Sequence, residues 1–259
     1  MFDLPLAETF LSVVADPRFP FAMAISILAG AVRGFSGFGS ALVYIPLMSM
    51  IYGPQVAAAT FVIIDLAVGM FFVPYVWRKA DFRQILPLAV AAIIAAQFGT
   101  MILLYTDPAT LRWGISALVG AMVLLLASGW RYHGRPVLPV TVCVGLLSGL
   151  MGGAVQMAGP PILLYWLGSA AAAAVIRANF VIYFSIFSAA AVLTYALRGL
   201  LPLHILMLSA LIGPWQIIAM ALGSRLFHMA SERTYRRVAY VIVALAAIGS
   251  MPLWDAFLK

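Results

Sequence analysis

Two apolar stretches, residues 20–52 and 136–168, each run for 33 residues, whereas about 20 residues cross a bilayer as a helix. Both carry glycines near the middle. The first reads Gly34-Phe35-Ser36-Gly37-Phe38-Gly39-Ser40 and the second Gly149-Leu150-Met151-Gly152-Gly153-Ala154. A glycine costs a helix interior about 1 kcal/mol relative to alanine, so such clusters mark a break or a close approach of backbones. An over-long run interrupted at its centre has two solutions: it crosses once as a broken helix, or it enters and leaves on one face as a re-entrant hairpin. Six further apolar runs, near 55–77, 83–105, 110–130, 174–197, 203–226 and 236–257, have single-crossing length. The connections are short and rich in Pro, Gly and charge, which leaves no room for a soluble domain. With 65% apolar and 9% charged residues, the chain could not cover a soluble surface. An ordinary soluble enzyme and a disordered chain are excluded. The runs are continuous rather than alternating, which argues against a β-barrel. The expected class is an all-α polytopic membrane protein with about eight hydrophobic segments. Asp3, Glu8 and Asp16 precede the first long run without a basic region, so no cleavable signal peptide is expected.

The two halves of the chain resemble each other. Gly30, Gly34, Gly37 and Pro46 match Gly145, Gly149, Gly152 and Pro161 at an offset of 115. Ala59-Thr60-Phe61-Val62-Ile63 matches Ala178-Asn179-Phe180-Val181-Ile182 at 119, and Gly99 and Arg112 match Gly223 and Arg236 at 124. The offset changes only where loops tolerate insertion. Residues 1–134 and 135–259 are therefore read as two membrane repeats that together form one transmembrane domain.

Charge placement bears on their relative orientation. Arg33 and Arg177 look intramembrane and are set aside. If each long stretch crosses once, the repeats are parallel and Lys and Arg divide eight against five. If each is a hairpin, its arms, such as residues 20–33 and 40–52, are about 20 Å long at 1.5 Å per residue and reach only the middle of the membrane. Each repeat then has a hairpin plus three crossings, the repeats are inverted, and the division becomes nine against four. The nine are Arg78, Lys79, Arg83, Arg131, Arg135, Arg225, Arg233, Arg236 and Arg237. The positive-inside rule prefers the inverted arrangement.

Non-helical backbone at membrane depth is tolerated where it lines a wet cavity or is buried in protein. Helix N-termini at such breaks offer unpaired N–H groups and a positive dipole end to an anion. The expected cradle for a small anion comprises Ser36, Gly37, Gly39 and Ser40 from the first break, with Gly152, Gly153 and Gln156 from the second. The competing reading is that these glycines serve tight helix packing. Arg33, costly in lipid, attracts substrate, pairs with Asp65 or snorkels. Asp65, about ten residues into its helix, relays protons or is a static partner of Arg33 or Arg177. Arg177 is either a loop charge or reaches into the site. Thr60 and Asn179 hold equivalent repeat positions and are expected beside the hairpin tips, or else they bond neighbouring helices. Gln97 and Gln216 line the path or bridge helices.

Other function classes fit less well. Cys143 stands alone and the three histidines are scattered, so neither a metal site nor a cofactor is expected. No G-x-S-x-G and no His near a Ser or an acid in sequence suggests an enzyme. The net charge of +7 sits in short loops that suit anionic lipid rather than nucleic acid. The expected partners are a small anionic substrate and the lipid bilayer, with a homodimer left open. A secondary transporter leads, ahead of an anion channel and of a non-transporting assembly partner.

At these residues the chain resembles the sulfite exporter family, TauE/SafE. The first copy of the family pattern is Arg33-Gly34-Phe35-Ser36-Gly37-Phe38-Gly39-Ser40 through Pro46, then Ala59-Thr60-Phe61. The second is Ser148-Gly149-Leu150-Met151-Gly152-Gly153, Gly159-Pro160-Pro161 and Tyr165, then Arg177-Ala178-Asn179. The chain departs from the pattern at Ser40, Ala154 and Gln156, where glycine is common, and in the Thr-Ser pair, which is Thr60-Phe61 and Asn179-Phe180 here. The resemblance implies movement of sulfite, sulfonates or related small organic anions across the bacterial inner membrane by a multi-pass protein.

Overall fold

A computed structural model describes residues 3–36, 39–128, 137–167, 171–226 and 232–253. Among the described residues the regular structure is helical. The first half holds α1 (Asp3–Val14), α2 (Phe19–Ser36), α3 (Ser40–Tyr52), α4 (Pro54–Val76), α5 (Phe82–Tyr105) and α6 (Pro108–Ala127). The second holds α7 (Leu138–Val155), α8 (Gly159–Leu167), α9 (Ala173–Leu197), α10 (Leu203–Leu226) and α11 (Glu232–Gly249). Among the described residues six helices are long and apolar enough to cross a membrane, or seven if α1 and α2 count as one span bent by 80°. The protein is an all-helical, multi-pass membrane protein. Helix α1 has no counterpart in the apolar runs, because Asp3 and Glu8 dilute its hydropathy. The junction at 134/135, with Arg131 and Arg135, lies outside the described residues.

Both over-long stretches are broken, and both fold back on themselves. Arg18, just ahead of α2, donates to the Ile51 carbonyl at 3.4 Å. Its guanidinium also lies 4.6 Å from the centre of the Tyr52 ring. The start of α2 and the end of α3 are thus held together. In the second half the hydroxyls of Thr141, near the start of α7, and Tyr165, near the end of α8, are 2.6 Å apart. Ser148 on α7 donates to the Ala158 carbonyl in the break at 2.6 Å. These contacts describe hairpins, not single broken crossings.

The arms differ from the expectation in length. α2 and α7 are each 18 residues long, about 27 Å, and so nearly match the ~30 Å hydrocarbon core. They run past Gly34 and past Gly149, Gly152 and Gly153 before the chain breaks. The second arms, α3 and α8, have only 13 and 9 residues.

Backbone contact explains why those glycines do not end their helices. A Cβ on Gly30 or Gly34 would lie 2.2 or 1.9 Å from the carbonyl oxygens of Gln216 or Met220 on α10. On α7, a Cβ at Gly145, Gly149 or Gly153 would lie 2.5, 2.0 or 2.2 Å from the Leu88, Ala92 or Ala96 oxygens of α5. The contacts are returned from the other side, by Gly223 of α10 on Ala31 and by Gly99 of α5 on Leu150. Each hairpin's first arm therefore packs on a helix of the other half, α2 on α10 and α7 on α5, while α4 packs on α9. Two further pairs between the halves correspond, α10 on α4 and α5 on α9, and α6 lies against α11.

These contacts set a clear expectation. Gly149→Val should cost about 1–3 kcal/mol or more through overpacking against α5, read as a lower melting temperature of the detergent-solubilised protein. Gly120→Ala on α6, where a Cβ would meet nothing within 4 Å, should be neutral or stabilise by up to about 1 kcal/mol.

Candidate functional site

The two breaks end at one place. Gly39, left-handed at φ 92°, releases the chain from α2 into α3. Gln156 closes α7 at φ 54°, and its N–H donates to the Gly152 carbonyl at 2.9 Å. Residues 39–42 of the first break and 156–160 of the second line a common cavity of about 50 Å³. At about 10–15 Å³ per water-sized position, that space admits three to five atoms of ligand or as many waters.

Part of this cavity's lining is ionic. Arg33, in the last turn of α2, pairs with Asp65 of α4. Its Nη1 also reaches the Ser40 hydroxyl at 3.5 Å. The other carboxylate oxygen of Asp65 accepts from the Ser188 hydroxyl on α9 at 2.7 Å. Three elements and one break thus converge on a single buried ion pair. The wall also carries the apolar side chains of Phe61, Leu163, Phe184 and Phe187.

The helix N-termini at the breaks are unequal. α3 opens at Ser40 without a side-chain cap, and of its first N–H groups that of Leu42 donates to the Gly39 carbonyl at 3.1 Å. α8 opens Gly159-Pro160-Pro161, and the prolines remove two donors. The two termini are therefore not equivalent, and α3 retains more backbone donors than α8.

Several sequence candidates stand at the cavity: Arg33, Gly39, Ser40, Asp65 and Gln156. Gln156 is anchored, its Nε2 donating to the Tyr195 hydroxyl at 2.9 Å. Other candidates do not stand there. Gly153 abuts α5, and a Cβ on Gly152 would lie 2.4 Å from Cζ of Phe187, so both serve packing. Arg177 is exposed. Thr60 accepts from the Tyr44 hydroxyl at 2.8 Å, and Asn179 accepts from the Asp81 N–H at 2.8 Å. Neither residue is among those that line the cavity. Gly37 lies outside the described residues, and Ser36 is the last residue of α2. Gln97 bridges α5 to Thr194 of α9 at 3.0 Å, and Gln216 bridges α10 to Ser26 of α2 at 3.2 Å.

Sequence reasoning missed Ser188, Phe184 and Phe187. The only signal for Ser188 is a serine deep in an apolar helix. The phenylalanines look like lipid-facing bulk until α9 is placed against the second break.

The model of the family "Sulfite exporter TauE/SafE" matches residues 22–250, a range that contains both hairpins and the cavity. A Cupriavidus necator protein described as "Probable sulfite/organosulfonate exporter TauE" is 25% identical over 248 residues, spanning 91% of this chain and 96% of the relative. No solved structure matches the chain at a significant level.

A buried ion pair is held by mutual neutralisation, and losing one member strands the other. Asp65→Ala should destabilise the protein by about 3–5 kcal/mol. Arg33→Leu combined with Asp65→Leu should recover most of that loss. Thermal unfolding of the three purified proteins checks both statements.

Proposed function

The chain belongs to the sulfite exporter TauE/SafE family, and on that premise we propose that it carries a small sulfur-containing anion, sulfite or an organosulfonate, by alternating access at the cavity between its two hairpin breaks. Membership in a transporter family points away from catalysis. The observation that carries the reading is the convergence of both breaks on Arg33 and Asp65. A guanidinium held in a transporter interior marks a substrate pathway. The cradle consists of Arg33, the Ser40 hydroxyl and the N-terminus of α3, with Gly39 leaving room for the anion and Gln156 bounding it on the second break.

Asp65 gives this cradle its logic. In the absence of substrate its carboxylate satisfies the guanidinium that an anion would need. Taking up one proton on Asp65 releases Arg33, so an anion and a proton enter together, and Ser188 holds the carboxyl in place throughout. Departure of both restores the ion pair. The halves 1–134 and 135–259 would be inverted repeats that move as interlocked units, each hairpin's first arm travelling with the helix of the other half on which it packs. The reciprocal packing of α2 on α10 and α7 on α5 supports two interlocked, equivalent halves.

Counterflow of radiolabelled sulfite in proteoliposomes tests the proposal. Uptake should saturate and should run uphill against unlabelled internal sulfite. Flux that rises linearly with concentration would instead mean a channel. Arg33→Ala should lower apparent affinity at least about tenfold, the worth of a charge-assisted hydrogen bond. Asp65→Asn should keep counterflow but lose its response to an imposed pH gradient. A response equal to that of the unaltered protein would remove proton coupling from the mechanism.

A further inference from the structure

Helix α1 is too short to cross a membrane. Its 12 residues cover about 18 Å, against a hydrocarbon core of ~30 Å. It also points elsewhere, since it is bent by 80° from α2. The sequence fixes that corner. Pro17 disfavours helical backbone at Asp16, and the Asp16 carboxylate accepts from the Arg18 N–H at 2.8 Å and from Nη2 of Arg18 at 2.9 Å. Arg18 in turn donates to the Ile51 carbonyl near the end of α3. α1 is therefore tied to the mouth of the first hairpin, where α2 enters the membrane. An element set nearly square to an arm that dips into the bilayer runs along the bilayer surface.

The side chains of α1 sort into three arcs at about 100° per residue. Leu6, Phe10 and Val14, with Ala7 and Leu11 next to them, share one side, and all five are exposed. Glu8 and Ser12, one turn apart, occupy the side across from it and are exposed as well. On the flank between these two sides, Thr9 and Val13 are half-buried. Val13 packs against the core that includes Val43, Tyr44 and Leu208, and α1 lies on α10. One flank is thus fastened to the protein, which leaves an apolar side and a polar side facing away from each other. The apolar side is large, with Leu11 alone 64% exposed, and covering it with water is unfavourable.

We propose that α1 is an interfacial helix. It lies in the plane of the membrane, with Leu6, Phe10, Leu11 and Val14 in the boundary between headgroups and acyl chains and with Glu8 and Ser12 in water. Neutral lipid covers the apolar side. Interfacial helices that recruit anionic lipid carry Lys or Arg on the polar face, whereas residues 1–17 contain Asp3, Glu8 and Asp16 and no basic residue. Because Arg18 joins the corner to the hairpin mouth, α1 also sets the depth at which the first hairpin sits. This placement holds whatever the cavity binds.

The experiment places a nitroxide on the full chain in phosphatidylcholine vesicles, at Leu11→Cys, Val14→Cys, Glu8→Cys or Ser12→Cys, one at a time. Cys143, an exposed residue of α7, is first replaced by Ser. Collision with oxygen, which partitions into lipid, is compared with collision with a nickel chelate, which stays in water. All four labelled positions are exposed, so a label displaces no packed side chain. The oxygen-to-nickel ratio should be at least roughly fivefold higher at Leu11 and Val14 than at Glu8 and Ser12, with the two apolar sites about 5–10 Å below the phosphates. Equal ratios on the two sides would overturn the proposal. All four sites favouring nickel would mean a helix standing off the membrane, and all four favouring oxygen a helix immersed in the core. Adding phosphatidylglycerol should leave the ratios unchanged, and a deeper apolar side in its presence would overturn the assignment of neutral lipid.

Discussion

Helices in lipid gain little from hydrophobic burial against one another, so they associate where their surfaces allow dense packing. In this protein that condition is met by backbone lying on backbone. Gly30 and Gly34 bring α2 onto α10, Gly145, Gly149 and Gly153 bring α7 onto α5, and Gly223 and Gly99 answer from the opposite helices. A methyl group at any of these positions would collide with a carbonyl oxygen. The contacts fix the depth and rotation of both hairpin first arms. Where those arms end, the chain must break, and the two ends fall beside each other.

That placement makes an otherwise unfavourable polar centre tolerable. Arg33 and Asp65 lie on different helices, and each neutralises the other while Ser188 satisfies the second carboxylate oxygen. A buried ion pair is poor evidence of stability, since its desolvation cost rivals its attraction. Its presence in a cavity bounded by two helix breaks reads instead as a working part. In the proposed mechanism the pair would act as a latch, because the carboxylate already holds the guanidinium that a transported anion would meet.

The hairpins are sealed at the ends away from the cavity. Arg18 ties the entry of the first to its exit, and Thr141 with Tyr165 does the same for the second. The centre of each hairpin carries the unusual backbone, at Gly39 and Gln156. Among the described residues of the two hairpins, the left-handed backbone falls at residues that line the cavity, as expected for irregular backbone at membrane depth.

The amino-acid sequence by itself determined the class of the fold and the two broken elements, and it offered a correspondence between the halves. Each of these depends on properties carried along the chain: the length of apolar runs, glycine in helix interiors, and residues recurring at constant offsets. Arg33 and Asp65 were legible for the same reason, because a charge inside an apolar run needs compensation wherever the helices go. Tertiary structure alone decided what the glycines do. Their rotation around the helix axis turned Gly149, Gly152 and Gly153 toward neighbouring helices, and the break moved on to Gln156. It alone separated Arg177, which lies exposed, from Ser188, which meets Asp65, and it sent Thr60 and Asn179 into structural hydrogen bonds. Which side chains share a cavity depends on the rotation and crossing of helices far apart in sequence, and no local pattern encodes those distances.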